Sequence, residues 1–175
     1  MEKDMTSVIF LDIDGVLNSN FWNDSHQMEI SDGKLIDVEN VKVLADLVDI
    51  TDANLVLHSG WRFWFDENIN PVRDEAAHLV AMLEDFGLSI SAVTPDLSDD
   101  EIKRTQKFSQ VKAKEISLWL EDNPTVEKWI VLDDLDLHDD IIAAHQIKTD
   151  ATVGLTEEDV ADAMAMWRTE RTNIR

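Results

Sequence analysis

The stretch VIFLDIDGVLNSN, residues 8–20, decides how this chain is read. Val8 to Leu11 is an apolar run rich in β-branched and aromatic side chains, the pattern of a buried strand. It stops on Asp12 and Asp14, one residue apart, with Gly15 directly behind. Buried strands rarely finish on two acids, because a carboxylate withdrawn from water without a partner is costly. Either the pair lies in a solvated turn or something cationic meets it there.

Working outward, Asp37 to Asp49 places Val38, Val41, Leu44, Ala45 and Val48 at three- and four-residue steps, a helical stripe. Asn54 to His58 (NLVLH) is a second buried strand. Pro71 is expected to open a helix that runs to Phe86 and stops at Gly87. Leu88 to Val93 is a third strand, ended by Thr94 and Pro95. Pro95 to Thr105 is polar and is read as a loop. Ser109 to Glu121 is helical, with Val111, Ile116, Leu118, Trp119 and Leu120 in or near its apolar face. Trp129 to Leu132 (WIVL) is a fourth strand. Asp140 to His145 forms a short helix and Gln146 to Thr149 a short fifth strand. In the closing GLTEEDVADAMAMWRTE, Thr156 is a natural N-cap with Asp159 behind it, and Glu157 and Glu158 suit the positive end of the helix dipole. Strands alternating with helices predict an α/β fold: a three-layer, Rossmann-like α/β/α sandwich with a mostly parallel sheet. In such sheets ligands gather beyond the carboxyl ends of the strands.

Those ends carry one chemistry. The first strand ends in Asp12 and Asp14, the second in His58, Ser59 and Gly60, the fourth in Asp133 and Asp134. The helix leading into the fourth begins near Lys112 and Lys114. Carboxylates from two strands suit Mg²⁺, which keeps several waters and favours sites completed by substrate phosphate. The ion would neutralise the aspartates. A free carboxylate beside a held phosphoryl group can attack it and divide one hard step into two easier ones. A second acid close by can protonate the leaving oxygen and then activate water. A hydroxyl and an ammonium can hold the remaining phosphoryl oxygens.

The ordered set VIFLDIDGVLN, NLVLHS, the Lys112–Lys114 region and WIVLDD resembles the motifs of the haloacid dehalogenase superfamily of phosphohydrolases. The resemblance implies that Asp12 is the nucleophile and Asp14 the general acid and base, the latter also lending its backbone carbonyl to the metal. It implies that Ser59 binds phosphate, that Asp133 binds Mg²⁺, and that Asp134 supports or shares that role. Lys112, four residues before Ile116, is preferred for the phosphate-binding lysine, with Lys114 close behind. The combination DIDGVLN, HSGWR, KEISLWL, VLDD and a late GLT is similar to the phosphatase domains of Swiss Army knife RNA repair proteins, and spans Val8 to Ala163. Caps in this superfamily are inserted after the first or second motif. The segment Ser19 to Asp37 is short, and Trp61 to Gln110 must also supply a helix and a strand, so a small cap or none is expected. The site would then be open.

In GWRFWF, residues 60–65, Gly60, Trp61 and Arg62 flank the expected pocket together with Gly15 and are assigned to substrate. Arg62 would clamp a phosphate as a bidentate donor, the other reading being that it pairs with one of the many acids. An aromatic here could stack on a nucleobase, but core packing is the weightier reading for the aromatic set as a whole. His58 reads as a packed strand histidine. His26, His78, His138 and His145 read as surface or loop residues. Asp136, Asp139 and Asp140 read mainly as loop or cap residues.

A chain of 175 residues suits one domain, residues 1–175, with a proper core. It has no cysteine, so disulfides and thiolate metal sites are excluded, and a cytoplasmic setting is the default expectation. No apolar run approaches membrane-spanning length, and MEKDMTSV lacks the pattern of a signal peptide. Fifteen Lys and Arg face 37 Asp and Glu, a formal charge of −22. A field of that sign repels polyanions and argues against a general duplex-binding surface. It leaves room for a small anionic group beside a metal ion, which reverses the local sign. The expected partner is a phosphorylated substrate, with a nucleotide or an RNA or DNA end phosphate the first choice. The alternatives are a small-metabolite phosphatase and a non-catalytic acidic binding protein on the same fold.

Overall fold

The computed structural model describes residues 5–19, 35–105 and 107–173. In chain order they form β1 (Ser7–Leu11), α1 (Val38–Thr51), β2 (Asn54–Leu57), a 3₁₀ turn (Gly60–Trp64), α2 (Asp74–Asp85), β3 (Ile90–Val93), α3 (Asp100–Thr105), α4 (Ser109–Asp122), β4 (Lys128–Asp133), α5 (Asp140–Ala144), β5 (Gln146–Lys148) and α6 (Glu157–Asn173). The strands make one sheet in the order β3-β2-β1-β4-β5, with every neighbouring pair parallel. This is the α/β arrangement expected from the sequence.

Both faces of the sheet are covered, which is why its central strands are continuous apolar runs rather than alternating ones. Side chains still alternate between two cores, because successive residues of a strand point to opposite faces. Ile9, Leu11, Leu55, Leu57, Ile130 and Leu132 face one way, onto Val41, Leu44 and Leu47 of α1, Leu79 and Leu83 of α2, and Ala163 of α6. Val8, Phe10, Val56 and Val131 face the other way, onto Ala113, Ile116 and Trp119 of α4 and Ile142 of α5. Phe10 is fully buried and meets the edges of Trp119 and Trp129, with ring centroids 5.4 and 6.0 Å away.

Helix ends follow the local chemistry. Asp37 caps α1 by accepting the Glu39 N–H at 2.9 Å. At α6, Asp159 accepts the Thr156 N–H at 2.9 Å and Thr156 Oγ1 accepts the Asp159 N–H at 3.3 Å, a reciprocal capping box. Two expectations need correction. The helix placed from Pro71 begins only at Asp74, because Pro71 pairs with Phe65 in an antiparallel bridge and Arg73 is extended. Residues 95–105 are not all loop. Asp99 accepts the Ile102 N–H at 2.8 Å and starts α3, a six-residue helix with no buried side chain and therefore no apolar stripe to reveal it.

The interval Trp61–Gln110 supplies the 3₁₀ turn, α2, β3 and α3. Most of the first candidate cap interval, with Phe21, Trp22 and His26, lies outside the described residues. Among the described residues no helix is long and apolar enough to cross a membrane.

Candidate active site

The ladder of the sheet continues one residue past β1, β2 and β5, and this sets the site. The Asp12 N–H donates to Leu132 O at 3.0 Å, the His58 N–H to Leu11 O at 3.0 Å, and the Thr149 N–H to Asp133 O at 3.1 Å. Asp12, His58 and Asp133 are thereby fixed side by side at the carboxyl edge. One ligand atom from each lies within 4.8 Å of the others. Asp12 and Asp133 are both buried. Lys112 comes up from the first turn of α4 and places Nζ 2.8 Å from Asp133 Oδ2 and 3.6 Å from Asp12 Oδ2. Lys114 is exposed, because two residues along a helix turn the side chain through roughly 200°. Of the two candidate lysines, the structure brings Lys112 to the acids.

The charges are unequal. Burial, then the neighbouring charge of Asp133, hold the Asp12 carboxyl well above the ordinary range. Asp134 adds to that repulsion, and its own carboxyl is raised by burial and by Asp133. Burial alone would lower Lys112, but Asp12 and Asp133 outweigh it and raise the ammonium. Asp133 is held low although burial opposes this, through His58 and Lys112. Burial takes His58 itself down to about 3, so its ring is neutral at pH 7, and Lys112 is the group that keeps Asp133 ionised. One ammonium faces three carboxyl groups, so ionising all three would leave negative charge in excess. Hard oxygen donors from two strand ends with unbalanced charge fit a divalent cation such as Mg²⁺. Asp12 and Asp133, with His58 beside them, could hold such an ion.

Asp14 stands outside this buried group, on an exposed turn. Its Oδ1 accepts from Asn18 Nδ2 at 2.9 Å and its Oδ2 from the Trp61 indole N–H at 3.2 Å. Gly15 has φ of +82°, and a Cβ added there would lie 2.6 Å from Asp134 Cγ. Its carbonyl accepts from Thr149 Oγ1 at 2.8 Å. Ser59 is buried and caps the 3₁₀ turn, its Oγ accepting the Trp61 N–H at 3.1 Å; its hydroxyl proton is left to donate. Gly60 is exposed, and a Cβ there would meet nothing within 4 Å, so the surface beside Ser59 is open.

Two residues assigned to substrate spend their donors within the protein. Arg62 is buried. Its Nη2 donates to Glu115 Oε2 at 2.7 Å, and its Nη1 donates to the carbonyls of Ser59 and His58 at 3.0 and 3.3 Å. A buried guanidinium requires a carboxylate, and Glu115 of α4 supplies it, so the expected phosphate clamp is corrected to an internal brace. Trp61 packs its ring into the core and spends its N–H on Asp14. Of the neighbouring aromatics Phe65 is buried, Trp64 half-buried and Phe63 exposed, with Arg62 Cζ 4.6 Å from the Phe63 ring centroid. Glu115, Asn18 and Thr149 went unassigned from sequence. Glu115 lies one helical turn from Lys112 in KAKE, a spacing that marks a shared face; Asn18 and Thr149 carry no comparable signal. A separate cavity of about 410 Å³, lined by Ser7, Lys128 and Trp167, opens at the amino edge of the sheet and contains none of these groups.

No curated protein matches the chain. The family model of the HAD domain in Swiss Army Knife RNA repair proteins matches residues 8–160, a span that runs from the first strand to the last helix and contains Asp12, Asp14, Ser59, Lys112, Asp133 and Asp134. The chain belongs to that family of HAD domains.

Proposed function

We propose that this chain is a Mg²⁺-dependent phosphomonoesterase that works through a phospho-Asp12 intermediate. Membership of a HAD family supports phosphatase-type hydrolysis. The observation that carries the fuller reading is Lys112 held between Asp12 and Asp133, 3.6 and 2.8 Å from their Oδ2 atoms, in a group still short of positive charge. Asp12 and Asp133 would hold the metal, whose charge would offset that of phosphate and acids together. An Asp12 carboxylate oxygen forms a bond to phosphorus as the bond to the leaving oxygen breaks. Asp14 gives its proton to that oxygen. Ser59 and Lys112 hold the phosphoryl oxygens. Asp14, now a carboxylate, takes a proton from water. The water oxygen bonds to phosphorus, Asp12 is released and inorganic phosphate leaves.

The open edge around Ser59 and Gly60 suits a bulky phosphorylated group. A nucleotide or a nucleic-acid end phosphate is our first choice, because the matched family is described by RNA repair proteins. The charge of −22 favours a second reading, a phosphatase of small metabolites. We also read residues 1–175 as one domain and the enzyme as cytoplasmic. Hydrolysis of an aryl phosphate with Mg²⁺, compared with EDTA and with Asp12→Asn, tests the activity. We expect each change to lower turnover by about 10³-fold or more. Turnover surviving both would overturn the reading. A phosphorylated oligonucleotide set against sugar phosphates and free nucleotides then separates the substrates.

A further inference from the structure

We propose that Trp61, backed by Asn18, is the positioning residue for Asp14, and that the Ser59–Gly60–Trp61 turn aligns phosphate binding with proton transfer. The inference rests on the phosphatase reading above. Asp14 is the exposed acid of the site, on a turn, and such a side chain is free to swing among rotamers. Here both of its oxygens are taken, Oδ1 by Asn18 at 2.9 Å and Oδ2 by Trp61 at 3.2 Å. The two donors come from different parts of the chain, four and 47 residues away.

Trp61 is a stiff donor. It is 4 % exposed, stacks obliquely on Trp64 with centroids 4.8 Å apart, and has its backbone N–H held by Ser59 Oγ. The next residue, Arg62, is locked to Glu115. An indole N–H only donates, so it cannot take the proton that Asp14 must carry. Each carboxylate oxygen keeps a second lone pair, and Asp14 is therefore oriented without being disabled. Asn18 is fixed in turn: its Oδ1 accepts the Gly15 N–H at 2.9 Å and its Nδ2 also donates to Leu35 O at 3.0 Å. The consequence reaches Ser59. The hydroxyl assigned to phosphate and the indole that orients the acid sit two residues apart on one capped turn. Any shift of that turn moves both groups together.

Trp61→Phe removes the N–H and keeps most of the ring. Its kcat/KM, which reports only through phosphoryl transfer to Asp12, is compared on an alkyl phosphate and on dinitrophenyl phosphate with Mg²⁺. The alkyl leaving group needs its proton and the nitrophenolate does not. General acid–base help is worth about 10²–10⁴-fold. Losing the brace should therefore cost the alkyl ester at least about tenfold more than the activated one. Equal losses on the two esters mean a merely structural role and overturn the proposal. A second arm needs no turnover. The Trp61 indole resonance in an NMR spectrum, assigned by its loss in Trp61→Phe, should move in Asp14→Ala; an unmoved resonance overturns the contact itself. A wild-type chain inactive on both esters with Mg²⁺ would overturn the phosphatase reading and the positioning role with it, whereas an active chain with equal losses overturns only the latter.

Discussion

Gly15 carries two constraints at once. Its φ of +82° lies in the region that a side chain disfavours, and the space where a Cβ would stand is taken by Asp134. The local sequence DIDG is thus a steric requirement as well as a chemical one. Gly15→Ala should lose about 1–3 kcal/mol in chemical denaturation. It should also lower metal affinity by displacing Asp134; a variant with wild-type stability would show that the turn relaxes at no cost. That Asp12 and Asp133 meet was legible from their place at strand ends, because a parallel sheet leaves little choice about where those ends meet. That Lys112 rather than Lys114 reaches the acids was legible only through helical spacing to Ile116. Pairing of Arg62 with an acid was one of its two readings, but which acid was not legible, since Glu115 lies 53 residues away and nothing local announces the pair.

At the scale of elements, one carboxylate ties three of them together. Glu115 of α4 receives Arg62 from the 3₁₀ turn and the Leu97 N–H, at 2.9 Å, from the segment after β3. Burial raises the Glu115 carboxyl in spite of these two partners. Glu115→Leu would strand a buried guanidinium and should destabilise the fold by about 3–5 kcal/mol. Pairing it with Arg62→Met should recover part of that loss, as paired apolar replacements of buried ion pairs do. Denaturation curves of both variants check this, and a double variant no better than the single one would contradict it. The long apolar elements were legible in the sequence because burial writes a period into them. The exceptions have particular causes. α3 buries nothing, so only its Asp99 cap hints at it. Pro71 looks like a helix start until Phe65, six residues earlier in the chain, claims it for a bridge.

For the molecule as a whole, a net charge of −22 and a buried acidic site pull in one direction. Without a cation the site is costly, and the cost has a pH signature. Asp12 is raised above its unfolded value, by burial and then by Asp133, so its contribution is fully present below the unfolded pKa. It is lost as pH rises through the folded value. His58, lowered to about 3 by burial, acts in the opposite sense by losing stability as pH falls below its unfolded value. Comparing wild type with Asp12→Asn cancels His58, which both chains share. In EDTA, Asp12→Asn should therefore melt above wild type at neutral pH and lose that advantage as pH falls toward the unfolded pKa of Asp12. Mg²⁺ should raise the melting temperature of the wild type more than that of the variant. Equal melting at every pH would mean that Asp12 feels no such strain. The most direct measurement is of phosphorus itself. Acid quenching during turnover of a labelled phosphate ester with Mg²⁺, followed by peptide mapping, should place the label on Asp12 in the wild type and on no peptide of Asp12→Asn. Steady turnover with no label at Asp12, or full turnover in Asp12→Asn, would contradict the account.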